Sequence, residues 1–315
     1  MLEVKNMNET YDVVCLGEIL IDFLIKENGE KEHNPGGAPL NVCAVINKYG
    51  GKSAFIGKVG NDVFGHYLKR FLDKSGIESK GLIIDNFHDT TLAFVKLAQD
   101  GERSFTFARD NHADINLKIE DVNKELIERC KLFHFGSLSL TNDPSRSATL
   151  FALRLAKTNN KLVSFDANYR EGLWESTEKF KKISCILSDV DFLKVSLEEA
   201  KLLTEKDDIV LCGRDLINSV KKIVLITLGD KGSYYVSKKF SGYIEAYKAN
   251  TIDTTGAGDI FFGSFLFEVV KNNIDIEKEE QLVMALKRAS KLASLSTEKK
   301  GATSSIPEYK ECLDL

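Results

Sequence analysis

Short runs rich in β-branched and aromatic residues alternate along this chain with longer stretches of helical periodicity, and that alternation restricts the fold more than any other feature. Strand signals at 13–17, 53–59, 132–135, 162–166, 192–195 and 224–228 are interleaved with helical patterns at 41–49, 62–75, 145–158, 177–187, 197–204 and 214–221. Repeated β–α units of this kind predict a mostly parallel central sheet with helices on both faces, a three-layer α/β sandwich. One stretch departs from the rhythm. Extended runs at 91–98 and 103–108 are joined by Gln99-Asp100-Gly101-Glu102, whose Asp-Gly step is a hairpin signal. A hairpin inside an otherwise parallel fold predicts a small β lid standing off the main sheet, and Leu92, Phe94, Phe105 and Phe107 then require cover.

The length of 315 residues admits two domains or one large one. With four prolines, no low-complexity tract and no internal repeat, a jointed tandem is disfavoured. A single domain over 1–315 is expected, with a lid built from segments near 22–40 and 90–112. The formal net charge of −4, with Lys and Arg dispersed, offers no footprint for nucleic acid. The first apolar run, VVCLGEILIDFLI, is broken by Glu18 and Asp22 and suits neither a signal segment nor a membrane span. Six cysteines form no C-x-x-C pair and five histidines no H-E-x-x-H pair, so buried reduced thiols and a cytoplasmic protein are expected.

The chemistry concentrates at small residues placed before helices. Asp253-Thr254-Thr255-Gly256-Ala257-Gly258-Asp259 precedes a run, IFFGSFLFEVV, that is apolar nearly all round and therefore reads as a buried helix. The first turn of a helix leaves amides unpaired and carries partial positive charge, and residues almost without side chains let an anion approach them. Taken alone, Asp259 reads as a helix cap as readily as an active-site group. Near the N-terminus, Gly36-Gly37 again precedes a helix, with Asp22 and Asn41 close in sequence. Parallel sheets bind ligands at the carboxyl ends of their strands, where this turn would lie, and such a set could bind several hydroxyls. Two look-alikes are set aside. Gly51-Lys52-Ser53 lacks the earlier glycine of a P-loop, Ile46 standing in its place, and a strand signal follows it; after Gly256-Ala257-Gly258, Phe261 stands where a dinucleotide fingerprint needs glycine.

Two longer stretches, GGAPLNVCAVINKYGGKSAFIGKVGNDVFG at 36–65 and DTTGAGDIFFGSF at 253–265, resemble the signatures of the ribokinase-like (PfkB) carbohydrate kinases. The segments FDANYREGLW (165–174), KVSLEEAKLLT (194–204) and LITLGDKGSYY (225–235) are similar to family segments in family order, so that the resemblance spans nearly the whole chain. It implies a sugar kinase using ATP and Mg²⁺, with Asp259 as the base that deprotonates the sugar hydroxyl and the amides of Gly256, Ala257 and Gly258 as the cradle for the transferring phosphoryl group. Asp22, Gly36, Gly37 and Asn41 would hold the sugar. Glu199 would organise Mg²⁺ through water, although Ser196-x-x-Glu199 is equally a capping box and Ser196 stands where the family commonly has Asn. Asp253 would support a monovalent cation, K⁺. Lys194, Thr227, Gly229, Gly232, Gly258 and Ala289 would face the nucleotide.

The segments around Arg109 and Arg170 resemble fructokinases most, except that Ala108 replaces a usual tyrosine. The same two arginines suit the carboxylate of 2-keto-3-deoxygluconate, and each could instead pair with a carboxylate of the protein. Ribokinase activity and a catalytically silent sugar or nucleotide sensor on the same fold are further alternatives. A dinucleotide oxidoreductase is disfavoured, because no G-x-G-x-x-G occupies the first βα turn. The resemblance also implies a homodimer formed lid to lid.

Overall fold

The computed structural model describes residues 10–25, 31–97, 103–174 and 179–315. In chain order the elements are β1 (Tyr11–Leu16), β2 (Leu20–Ile25), β3 (Lys31–Gly36), α1 (Ala38–Lys48), β4 (Ser53–Gly60), α2 (Val63–Lys74) and β5 (Glu78–Asp85). There follow β6 (Leu92–Leu97), β7 (Arg103–Ala108), α3 (Lys124–Glu128), β8 (Cys130–Gly136), α4 (Ser145–Thr158), β9 (Leu162–Asp166) and α5 (Lys179–Ser184). The last third comprises β10 (Phe192–Ser196), α6 (Leu197–Thr204), α7 (Ile209–Ser219), β11 (Ile223–Thr227), β12 (Ser233–Ser237), β13 (Ser241–Ile244), α8 (Ala257–Val270) and α9 (Glu279–Ser296).

A nine-stranded sheet runs in the order β13-β12-β11-β10-β9-β8-β1-β4-β5, parallel except for the two antiparallel pairings at the β12 and β13 edge. Its two faces are read directly from alternate residues. Val13 and Cys15 of β1, with Ile223 and Leu225 of β11, join a core containing Leu40, Phe262, Phe265 and Leu286 from α1, α8 and α9. Their neighbours Val14, Leu16, Val224 and Ile226 enter a second core with Ala152, Leu153 and Leu216 from α4 and α7. The period of two along each strand thus produces the three layers. Helix α8 is buried from Ile260 to Glu268, as its unbroken apolar composition predicts.

Strand order reverses at β1, since the chain leaves it toward β4 and β5 and returns to β8 on the opposite side. Loops at the carboxyl ends of β1 and β8 diverge from such a switch point and open a crevice there. Glu18, the start of α1 and the residues after Gly136 stand at this crevice.

A second, four-stranded sheet has the order β3-β2-β6-β7. Its β6–β7 pair is antiparallel, running from Leu92↔Ala108 to Leu97↔Arg103, as the hairpin signal requires, while β2 pairs with β6 in parallel. The turn at 98–102, the side chain of Phe105 and the start of the helix expected at 177 lie outside the described residues. Aromatic side chains provide part of the cover this sheet needs: Phe23 stacks on Phe94 at 5.7 Å and meets Phe64 edge-on at 5.4 Å. The sequence patterns overlooked β2, β3 and β5, and the closing hairpin of β12 and β13. β2 was concealed because Glu18 and Asp22 interrupt an apolar run that in fact divides into two strands belonging to different sheets.

Candidate active site

At the N-terminus of α8 the chain turns through Gly256 at φ +76°, a conformation that disfavours any side chain, and a Cβ there would lie 2.6 Å from Cβ of Ala302. Asp253 shapes the loop before it: Oδ1 accepts from the Thr255 amide at 2.7 Å and Oδ2 from the Gly301 amide at 2.8 Å. The amide of Ala257 donates to Thr254 O at 3.2 Å, so it is already engaged. Gly258 and Asp259 occupy the first helical turn, whose amides have no acceptor within the helix. A Cβ at Gly258 would come within 3.3 Å of Lys194 Nζ, which places that ammonium against the helix mouth.

Lys194 and Asp166 face each other across paired strands β10 and β9, bonded at 2.6 Å, with Asp166 fully buried. Burial alone would lower the lysine pKa. The carboxylates of Asp166, Asp259 and Glu199 outweigh it and hold the ammonium above its ordinary value. Asp259 is half-buried, next to Gly258 of the cleft wall. Burial pushes its carboxyl up to about 6, Lys194 opposes that rise, and Asp166 adds to it. The resulting group is a carboxylate at neutral pH and far more basic than an exposed aspartate.

Asn41 links this centre to the Gly-Gly turn, its Nδ2 donating to Asp259 Oδ2 at 2.7 Å. Its Oδ1 is buried without a partner among the described residues. At Gly36 a Cβ would fall 2.3 Å from Asp22 Oδ2, so the glycine is what lets the carboxylate of β2 reach the turn. Gly37, at φ +115°, lies against the carbonyl of Glu18. Asp22, Gly36, Gly37, Asn41 and Asp259 are thus brought to one place from the second sheet and two helices.

The two arginines differ. Arg170 is half-buried and close enough to lower the pKa of Asp259. Arg109 is buried, with Nε bonded to Asp114 at 2.7 Å, one terminal nitrogen to Thr141 Oγ1 and the other to Leu138 O, each at 3.0 Å. Three of the five N–H donors of Arg109 are thus taken by protein acceptors, and the guanidinium acts here as a brace at this corner. Ala108 pairs with Leu92 in the register of β7 and β6.

Beyond α8 lies a cleft of about 870 Å³ whose walls include Thr227, Gly229, Gly232, Gly258, Ala293 and Thr297. Gly232 is required there, since φ is +99° and a Cβ would strike Ile244 O at 2.0 Å. Ala289, expected at the nucleotide, is instead fully buried in the core, and Ser290, Ala293 and Ser294 of α9 line the wall. The helical period explains the difference: a stripe of small residues was legible, but which face turns to the cleft depends on how α9 packs on α8.

Glu199 performs the capping-box role in full. Its Oε2 accepts from the Ser196 amide at 2.7 Å while its own amide donates to Ser196 Oγ at 3.1 Å, and Oε1 accepts from the Tyr169 amide. Burial and then Asp166 raise its pKa. Among the described residues no cluster of three or more His, Cys, Asp or Glu could hold a metal. Sequence patterns gave no role to Glu18 and Ser137, buried polar groups at strand ends, and marked Asp166 only as the start of a fructokinase-like segment. They missed His134 as well, which bonds Ser164 Oγ at 2.9 Å and is pushed by burial down to about 4, a neutral core residue.

A large, mostly parallel sheet, a small second sheet and a cleft mouth formed by a glycine-opened helix together define a ribokinase-like α/β protein. The chain belongs to the pfkB family of carbohydrate kinases, whose profile matches residues 10–309. It is 42% identical over 313 residues to a probable fructokinase-5 of Arabidopsis thaliana, covering 96% of each chain. It is 40% identical over 315 residues to fructokinase-1 of Zea mays, covering 96% of this chain and 97% of that one. Among solved structures, a fructokinase of Vibrio cholerae with fructose, ADP and a calcium ion bound superposes with a TM-score of 0.88 at 31% identity, covering 97% of this chain and 99% of that one. A fructokinase of Xylella fastidiosa with bound ATP also gives 0.88, at 28% identity over 96% and 97% of the two chains. Among the described residues no helix is long and apolar enough to cross a membrane.

Proposed function

We propose that this protein is an ATP-dependent fructokinase. The reading rests above all on the 2.7 Å bond between Asn41 and Asp259, which joins the hydroxyl-binding turn to a half-buried, basic carboxylate. Asp22, the Gly36-Gly37 turn and the unpartnered Oδ1 of Asn41 offer the acceptors and amides a polyhydroxylated ligand needs. Asp259 takes the proton of the attacking hydroxyl, and Asn41 holds the carboxylate in line. Lys194 and the first-turn amides of α8 receive charge on the transferring phosphoryl group, with Gly256 and Gly258 giving it room. Thr227, Gly229 and Gly232 border the nucleotide.

Mg²⁺ belongs to this reading as an ion carried on the ATP phosphates, where it neutralises developing charge. Glu199 fits a water-mediated contact: each oxygen accepts one amide and keeps further lone pairs. Asp253, whose carboxylate orders the loop before α8, would add negative charge toward a K⁺ beside it. The second sheet, which delivers Asp22, serves as a lid over the sugar and as the surface of a homodimer. Its Phe94 remains 37% exposed in the single chain, and a monomeric mass in solution would count against the dimer. The six cysteines are free and five are buried, which favours the cytoplasm.

The charge of Arg109 is paired with Asp114, which leaves Arg170, beside Asp259, as the arginine a substrate carboxylate would need and favours a neutral sugar over 2-keto-3-deoxygluconate at the Arg109 corner. A coupled ADP-release assay over fructose, 2-keto-3-deoxygluconate, ribose and adenosine decides the matter. Fructose is expected to lead in kcat/KM by at least about tenfold, the discrimination a few matched hydroxyl contacts supply. ADP release with none of the four would favour the non-catalytic sensor.

The pH dependence follows from the same carboxylate. Asp259 accepts a proton only when ionised, so activity is lost as pH falls through its pKa. A plot of kcat/KM for the sugar should show an acid limb at about 6, whereas a limb near 4, the ordinary aspartate range, would remove Asp259 as the controlling base.

A further inference from the structure

Helix α1 begins at the sugar turn with a glycine cap, and Gly37 has no side chain to accept from the helix amides. The acceptor comes instead from another element. Glu18, 3% exposed just beyond β1, accepts from the amide of Ala38 through Oε1 at 3.2 Å. Its main-chain carbonyl lies where a Cβ on Gly37 would be 2.4 Å away, and at the preceding residue a Cβ on Gly17 would meet Pro39 Cγ at 2.7 Å. Residues 17 and 18 therefore seat all three residues that open α1. Three positions later on this helix Asn41 holds Asp259.

We propose that Glu18 is a positioning residue of the sugar site, a cap supplied from outside the helix that fixes Gly36, Gly37 and Asn41 in register with β1. A second feature separates it from an ordinary buried carboxylate: Oε2 has no partner among the described residues, so the side chain is held by its own main-chain amide, by the field of Arg109 and by the α1 amide. Arg109 is itself braced by Asp114, which also accepts from Thr91 Oγ1 at 2.5 Å, tying this corner to the start of the second sheet. Burial pushes the Glu18 carboxyl up to about 7, and both its charged and neutral forms keep an oxygen that can accept from Ala38. A glutamine amide keeps such an oxygen too, and alanine does not.

The inference rests on the sugar-site reading for its kinetic arm and not for its structural one. With fructose, Glu18→Ala should raise the sugar KM about tenfold and leave the ATP KM within about twofold, while Glu18→Gln stays within about threefold of wild type, the scale of losing or keeping one helix cap. In the absence of any ligand, hydrogen exchange of the segment 36–41 should accelerate in Glu18→Ala and stay at the wild-type rate in Glu18→Gln. A folded Glu18→Ala enzyme with an unchanged sugar KM would overturn the proposal. So would equal impairment of the two variants, or parallel rises in the KM of both substrates. A wild-type protein inactive on fructose would sink the fructokinase reading alone, since the exchange experiment would still report on the cap.

Discussion

Replacing Asp259 by Asn is expected to lower kcat about 10³-fold, the range for removing a general base, with little change in the sugar KM. The asparagine is nearly isosteric and its amide can still meet Asn41, so the α8 mouth keeps its shape. What disappears is the ability to take a proton from the sugar hydroxyl. Because burial raises this carboxyl to about 6, its basicity is what the enzyme would use, and among the described residues it is the carboxylate bonded to Asn41. Single-turnover measurement of ADP formation separates chemistry from release. A variant that folds normally and turns over at the wild-type rate would show that Asp259 is no base and only a first-turn carboxylate of α8 bonded to Asn41.

Replacing Lys194 by Met should be nearly as damaging, and by two routes. Asp166 is fully buried and bonded to the ammonium at 2.6 Å, so its removal leaves an uncompensated carboxylate beside Glu199 and Asp259. Breaking a buried pair in this way costs about 3–5 kcal/mol of stability, read as a lowered Tm or denaturation midpoint. The second route is electrostatic. Lys194 holds the Asp259 pKa down against burial, so without it the acid limb of the kcat/KM profile moves above about 6 and activity at neutral pH falls further. The catalytic role predicts a displaced limb; a purely structural one predicts a lower Tm with the limb in place. On the proposed reading the transferring phosphoryl group would also lose a cation at the mouth of α8, and a fall in kcat/KM of at least about 10²-fold is expected.

Much of this molecule was legible from its residues alone, and particular elements show why. α4 and α6 occupy the spans their periodicity indicated, 145–158 and 197–204, and the Ser196–Glu199 box forms as its spacing suggests. These are local features, determined by dihedral preferences and by the 3.6-residue and two-residue repeats. The glycines at 37, 232 and 256 belong with them, since each adopts a positive φ that other residues resist. The division of the first apolar run into β1 and β2, by contrast, was not visible. Both halves are extended and apolar, and only their partners show that one lies in the main sheet and the other in the second.

The same division governs the site. Chain order alone identified the Gly-Gly turn, the Gly-Ala-Gly-Asp loop and the family they signal, because each motif is a run of neighbouring residues with its own backbone requirement. Tertiary structure decided that Asn41 meets Asp259 across 218 positions, that Lys194 pairs with Asp166, that Arg109 is consumed as a brace and that Ala289 faces the core. Those outcomes depend on strand order, register and helix rotation, which place distant side chains within about 3 Å, the reach of a hydrogen bond, and no local repeat encodes them.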